Sequence, residues 1–187
     1  GDNAILVASL KKSATIPAKS LLFNIDQKAD LVAKDQSDAL LKVFAMVFDD
    51  SCGYFGKMAY IAQFERDLDN DNRLAEFKEI YANIAQMPWE KGRKQSILQE
   101  ANVDAAYARL NGSERAPEGI LAKYSNEYHL SIEDFANNVK DWLDSQPAGT
   151  RLNFYVDEVG QFIAGNTKLM LNLQTIAETL AVRCDMR

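Results

Sequence analysis

Hydrophobic residues fall along this chain in two rhythms. Two short apolar runs, Leu21-Leu22-Phe23-Asn24-Ile25-Asp26 and Leu152-Asn153-Phe154-Tyr155-Val156, stand after turn-forming residues, Pro17 and Pro147-Ala148-Gly149 respectively. Short apolar runs bounded in this way predict buried strands. The first ends in Asp26, and the second runs straight into Asp157-Glu158. Elsewhere the apolar positions recur every three or four residues, the spacing of one helix face. Leu40, Leu41, Phe44, Val47 and Phe48 predict a helix with Ser37 as its N-cap, broken by Asp49-Asp50-Ser51-Cys52-Gly53. Tyr60, Ile61, Phe64 and Leu68 predict a second, and Leu74, Phe77, Tyr81 and Ile84 a third that stops before Pro88. Trp89 to about Leu110 reads as helix with weaker patterning, and Asn111-Gly112-Ser113 and Pro117-Glu118-Gly119 mark loops.

Ser131 and Asp134 match a capping box at the head of a helix faced by Ile132, Phe135, Val139, Trp142 and Leu143. Leu169, Leu173, Ile176, Ala177, Leu180 and Cys184 line a long final helix that reaches Arg187 with no capping signal. The resulting order is a strand near 20–26, a helical block over 36–145, then a strand and helix within 151–187. This is a helix-rich α/β arrangement with few strands, widely separated in sequence. Two strands bury little by themselves, so the pattern predicts either association in solution or a helix-dominated subdomain.

Composition narrows the classes. With 187 residues, 47% of them hydrophobic, the chain supports one well-buried domain and is too apolar for intrinsic disorder. Lys+Arg 21 against Asp+Glu 27 gives a net charge of −6, which disfavours a broad nucleic-acid platform. The local cluster Lys91, Arg93 and Lys94 beside Trp89 reads as a solvated helix start, with contact to a phosphate backbone as the sharper alternative. No apolar run approaches the roughly 20 residues of a bilayer span, and no signal peptide opens the chain. Cys52 and Cys184 lack partners at ligand spacing and read as reduced thiols of a cytoplasmic protein. Gly1 in place of Met points to a processed chain or a piece of a larger one.

The strongest chemical pattern is the second strand with its acidic end. An apolar strand that delivers two adjacent acids is the Walker B arrangement of P-loop ATPases. There Asp157 would hold Mg²⁺ through its water shell and Glu158 would polarise the attacking water. The same residues also fit a strand whose end is merely acidic. Gly53-Tyr54-Phe55-Gly56-Lys57-Met58 is no phosphate loop: two residues separate the glycines where four are needed, and Met58 stands where Ser or Thr would reach Mg²⁺. Asp67-x-Asp69-x-Asp71 opens like an EF-hand loop but has Asn72 at the glycine position and Lys78 at the bidentate one, so it reads as a solvated inter-helix turn. His129, the only histidine, has no nucleophile in an activating motif beside it.

Together, Leu22-Phe23-Asn24-Ile25-Asp26, Gly53-Tyr54, Trp89 and Phe154-Tyr155-Val156-Asp157-Glu158-Val159-Gly160-Gln161-Phe162-Ile163 resemble an internal segment of the large P-loop ATPase of the BREX phage-resistance systems (the BrxC/PglY type). The resemblance covers most of the chain and is most specific at the strand that ends in Asp-Glu. It implies a partial P-loop NTPase core with a large helical insertion, its phosphate loop upstream of Gly1. It also implies Mg²⁺ and ATP in the full-length parent and none for this chain alone. Asp157 is then the Mg²⁺-associated acid and Glu158 the hydrolytic acid, and the partners are other BREX proteins, with DNA not indicated by the charge and no membrane. The competing expectation is a helical protein–protein interaction module with no catalytic role. The two differ in what they ask of Asp157 and Glu158: the ATPase reading needs both acids exposed at the carboxyl end of the strand beside a vacant phosphate-loop position, whereas the module reading allows them to be paired with Lys or Arg or buried in packing.

Overall fold

The computed structural model, which describes residues 16–29 and 38–187, turns both apolar runs into strands. β1 (Ala18–Asn24) and β2 (Arg151–Asp157) form a two-stranded parallel sheet, in register from Ala18 opposite Arg151 to Asn24 opposite Asp157. Among the described residues α1 (Ile25–Ala29), α2 (Ala39–Cys52), α3 (Ala59–Asn70), α4 (Leu74–Ala85), α5 (Trp89–Gly92), a 3-10 turn (Arg93–Gln95), α6 (Ser96–Leu110), α7 (Ile120–Glu127) and α8 (Ile132–Ser145) lie between the strands. After β2 come α9 (Val159–Ile163) and α10 (Thr167–Arg183). Over the described residues the protein is a helix-rich α/β chain with a small two-stranded parallel sheet. The expected N-cap Ser37 lies outside the described residues.

The first apolar run is divided between two elements. It was expected as strand through Asp26, but β1 ends at Asn24, whose Oδ1 accepts the Gln27 N–H at 3.0 Å and so caps α1. Period-2 alternation decides which face of the sheet is buried. Leu21 and Phe23 are buried, with Phe154 and Val156 opposite them, whereas Leu22 is 78% exposed and its register partner Tyr155 54%.

The described chain divides into two compact units, 16–29 with 38–48 and 130–187, and 49–129. The first unit buries the inner face of the sheet under an aromatic cluster. The Phe44 ring of α2 lies 5.5 Å from Phe23, 5.4 Å from Phe154 and 6.5 Å from Phe135 of α8, centroid to centroid. The capping box forms as the spacing requires: Ser131 Oγ accepts the Asp134 N–H at 3.0 Å, and Asp134 Oδ2 accepts the Ser131 N–H at 3.1 Å. α10 packs on α8 and buries Leu169 and Ile176. Its end corrects the expectation of an unterminated helix. Asp185 N–H bonds the Val182 carbonyl and Met186 N–H the Ala181 carbonyl, with φ of +53° and +59°, so a left-handed Schellman turn closes the helix after Arg183.

The second unit is all-helical around Phe64, Phe77, Tyr81 and Trp89, all four fully buried. Trp89 stands 5.1 Å from Tyr81 and 5.3 Å from Phe77. The segment expected as one helix from Trp89 to Leu110 is broken at Arg93–Gln95, where Arg93 turns inward to Glu65. α7, which carried no signal of its own, is capped from a distance. The Asp104 carboxylate of α6 accepts the Gly119 and Ile120 N–H groups at 2.8 and 2.9 Å.

Candidate functional site

Parallel pairing sends both strands out at the same end of the sheet. That end collects Asn24 and Asp26 from β1 and α1, and Asp157 and Glu158 from β2 and its exit turn. In parallel sheets ligands sit beyond the carboxyl ends of the strands, where helix N-termini and loops converge. Here the two exits are the short helices α1 and α9, which touch one another.

Asp157 and Glu158 occupy the turn between β2 and α9. The Asp157 side chain is exposed at the strand end, directly opposite Asn24, and its Oδ1 accepts the Glu158 N–H at 2.8 Å. Glu158 is half-buried with φ +61° and ψ +19°, a left-handed conformation that side-chain-bearing residues seldom adopt. Its carbonyl accepts the Phe162 N–H at 3.1 Å and starts α9. Neither carboxylate forms an ion pair among the described residues. An exposed acid on a strand end beside a second, strained acid can hold a hydrated cation or accept a proton from water.

The donor set fits a Mg²⁺ ion only in a limited sense. No group of three His, Cys, Asp or Glu side chains converges among the described residues. Asp157 supplies one carboxylate suited to a water-mediated contact, and the described residues supply no phosphate-binding loop to complete the shell.

The other motifs are absorbed by the architecture of the second unit. The Gly53–Met58 turn follows α2 and is clasped by carboxylates: Glu65 Oε2 accepts the Phe55 N–H at 2.6 Å and Asp50 Oδ1 the Gly56 N–H at 3.1 Å. Arg66 and Arg93 lie over the Tyr54 and Phe55 rings. Arg66 also pairs with buried Asp49, where burial outweighs the guanidinium and pushes the carboxyl up to about 6. The EF-hand-like acids end α3. Asn72 N–H bonds the Asp69 carbonyl and Arg73 N–H the Leu68 carbonyl, a Schellman turn with Asn72 at φ +57°. Asp67 accepts the Tyr124 hydroxyl at 2.7 Å and Asp69 the Tyr54 hydroxyl at 2.6 Å. Burial, reinforced by these bonds, holds both phenols well above their usual range. His129 is exposed in the link between α7 and α8. The basic cluster is split, with Lys91 and Lys94 exposed and Arg93 bonded to Glu65. Cys184 is buried near the Ala136 carbonyl and Cys52 half-buried, and no disulfide links them.

Glu65 and Asp104 were not singled out from sequence, yet they organise this unit. A signal for Glu65 was present: it shares the spacing of Ile61, Phe64 and Leu68, so it falls on the stripe that faces the core. Compared with known proteins, the chain matches no family model and no solved structure.

Proposed function

We propose that this chain carries the acidic-strand half of a nucleotide-hydrolysing P-loop site, as part of a BREX-type phage-defence ATPase whose phosphate loop lies elsewhere in the parent protein. The observation that carries the reading is the turn after β2. Asp157 is exposed at the carboxyl end of a parallel strand, and Glu158 beside it is held in a left-handed conformation, with neither acid ion-paired to Lys or Arg among the described residues. A strand end that served only packing would gain by placing Gly or Asn at that φ. Backbone strain of this kind clusters at active sites, and at Glu158 it does not close a helix as it does at Asn72 and Asp185.

In this reading Asp157 orients the water shell of Mg²⁺, and Glu158 accepts a proton from the water that attacks the terminal phosphate. Bound ATP and Mg²⁺ would supply the electrophile and the charge neutralisation. Glu158→Gln in the full-length protein should retain ATP binding and abolish turnover, because the amide keeps the shape without accepting the proton. Normal hydrolysis by that variant would refute the assignment.

A further inference from the structure

The second unit exposes a surface that its own packing does not explain. Ile97 and Leu98, consecutive in the first turn of α6, are 85% and 79% exposed, although that helix buries Val103, Ala106 and Leu110 on its other side. Ala101 lies exposed one turn further on. A helix apolar on both sides is one that has a neighbour on both sides. Immediately before this patch stand Lys91 and Lys94, exposed, and Arg109 is exposed at the far end of α6. None of the three cations makes an ion pair or hydrogen bond among the described residues. Of the nearby carboxylates, Glu90 pairs with Lys78 and Asp104 holds the start of α7, while Glu100 adds one acid beside the three cations. On a chain of net charge −6 this stripe is therefore locally cationic, with an apolar centre.

We propose that Lys91, Lys94, Ile97, Leu98 and Ala101 form a docking face for an acidic amphipathic helix of a partner protein. Charge complementarity selects the partner: acids at its ends meet Lys91, Lys94 and Arg109, and its apolar stripe covers Ile97 and Leu98. The small side chain of Ala101 leaves room for close helix–helix approach. A phosphate backbone would satisfy the lysines but leave Ile97 and Leu98 uncovered. A second copy would bring a chain of the same net charge. The proposal is independent of the nucleotide reading of Asp157 and Glu158.

The test uses the whole chain and a fluorescein-labelled helical peptide whose apolar stripe is flanked by glutamates. Its controls are a twin peptide with lysines in their place, a DNA duplex, and sedimentation of the chain alone. The acidic peptide should bind about tenfold or more tightly than its lysine twin, with affinity falling as salt rises. Lys91→Glu with Lys94→Glu should invert that preference, and Ile97→Ser with Leu98→Ser should weaken the acidic peptide about tenfold. These positions are exposed, so the variants keep the fold, which circular dichroism checks. Absence of acidic-peptide binding, or equal affinity for both peptides, overturns the proposal. So does DNA binding that depends on the lysines but not on Ile97 and Leu98, or a dimer that the serine pair abolishes.

Discussion

Replacing Glu65 by Gln removes one charge and exchanges one oxygen for an amino group, without changing the shape of a side chain that is 0% exposed. Glu65 Oε1 accepts from Trp89 Nε1 at 2.7 Å and from Arg93 Nη1 at 2.6 Å, while Oε2 accepts the Phe55 N–H at 2.6 Å. All three partners are donors, so glutamine cannot serve them. If its oxygen stays toward Trp89 and Arg93, its amino group faces the Phe55 N–H. If it flips, two donors are opposed instead of one. At least one bond to a charged acceptor is lost, about 1.5–3 kcal/mol. The remaining Arg93 bonds also lose their anionic partner. Arg93 Nε is already buried with no hydrogen-bond partner among the described residues, and Arg93 Nη1 also donates to the Gly53 carbonyl at 3.1 Å. The total expected loss is about 2–4 kcal/mol, short of the ~3–5 kcal/mol for deleting one partner of a buried pair outright. Urea unfolding in a Trp142→Phe background, where Trp89 is the only remaining tryptophan, reads the second unit directly. Amide exchange at Phe55 should accelerate along with it. A loss below about 0.5 kcal/mol with an unchanged denaturant slope would refute the reasoning, because it would mean the three donors find other acceptors at no cost.

Other outcomes follow from single contacts. Asp49, with its folded-state carboxyl raised to about 6 by burial against an ordinary 3.8, binds its proton earlier in the folded than in the unfolded chain. Its contribution to stability therefore grows as pH falls from about 6 to about 4. The stability difference between the wild type and Asp49→Asn, measured by urea titration across that range, should move in the wild type's favour on acidification, and the opposite slope would refute the raised value. A Cβ at Gly92 would stand 2.0 Å from the Tyr81 hydroxyl, which itself bonds Gln99 at 2.7 Å. Gly92→Ala should therefore cost about 1–3 kcal/mol, and a thermal midpoint equal to the wild type's would contradict the contact. Glu158→Gly relieves the left-handed strain and should match or exceed wild-type stability, by up to about 1 kcal/mol, whereas Glu158→Ala should not. A marked destabilisation by glycine would show that the carboxylate is structural.

What the sequence made legible was what local chemistry decides. The two strands and the helices of Phe44, Phe64, Phe77 and Phe135 follow from apolar spacing, and the Ser131–Asp134 box forms as its spacing demands. The break at Arg93–Gln95 was not legible, because it depends on a carboxylate at Glu65, across the core in another helix. Nor was α7, whose cap is supplied by Asp104 from a different element. The ends of α3 and α10 were hidden for a related reason. Asn72 and Asp185 take the left-handed position usually given to glycine, so the usual signal for a helix stop was missing. At the candidate site the acids were plain in the sequence. That Asn24 and Asp157 share one end of the sheet required the parallel register, which no local pattern encodes.

The pairing of β1 with β2 has a kinetic consequence. It joins segments about 130 residues apart, and closing so long a loop is entropically costly before any contact rewards it. The helical unit 49–129 lies within that loop and builds its core from residues within its own span. Where that unit forms first, its span no longer counts as flexible connection, and the entropic cost of closing the loop falls. Folding of the helical unit thus prepares the sheet, and a substitution that loosens Glu65 should slow the arrival of Asp157 beside Asn24 without touching either residue.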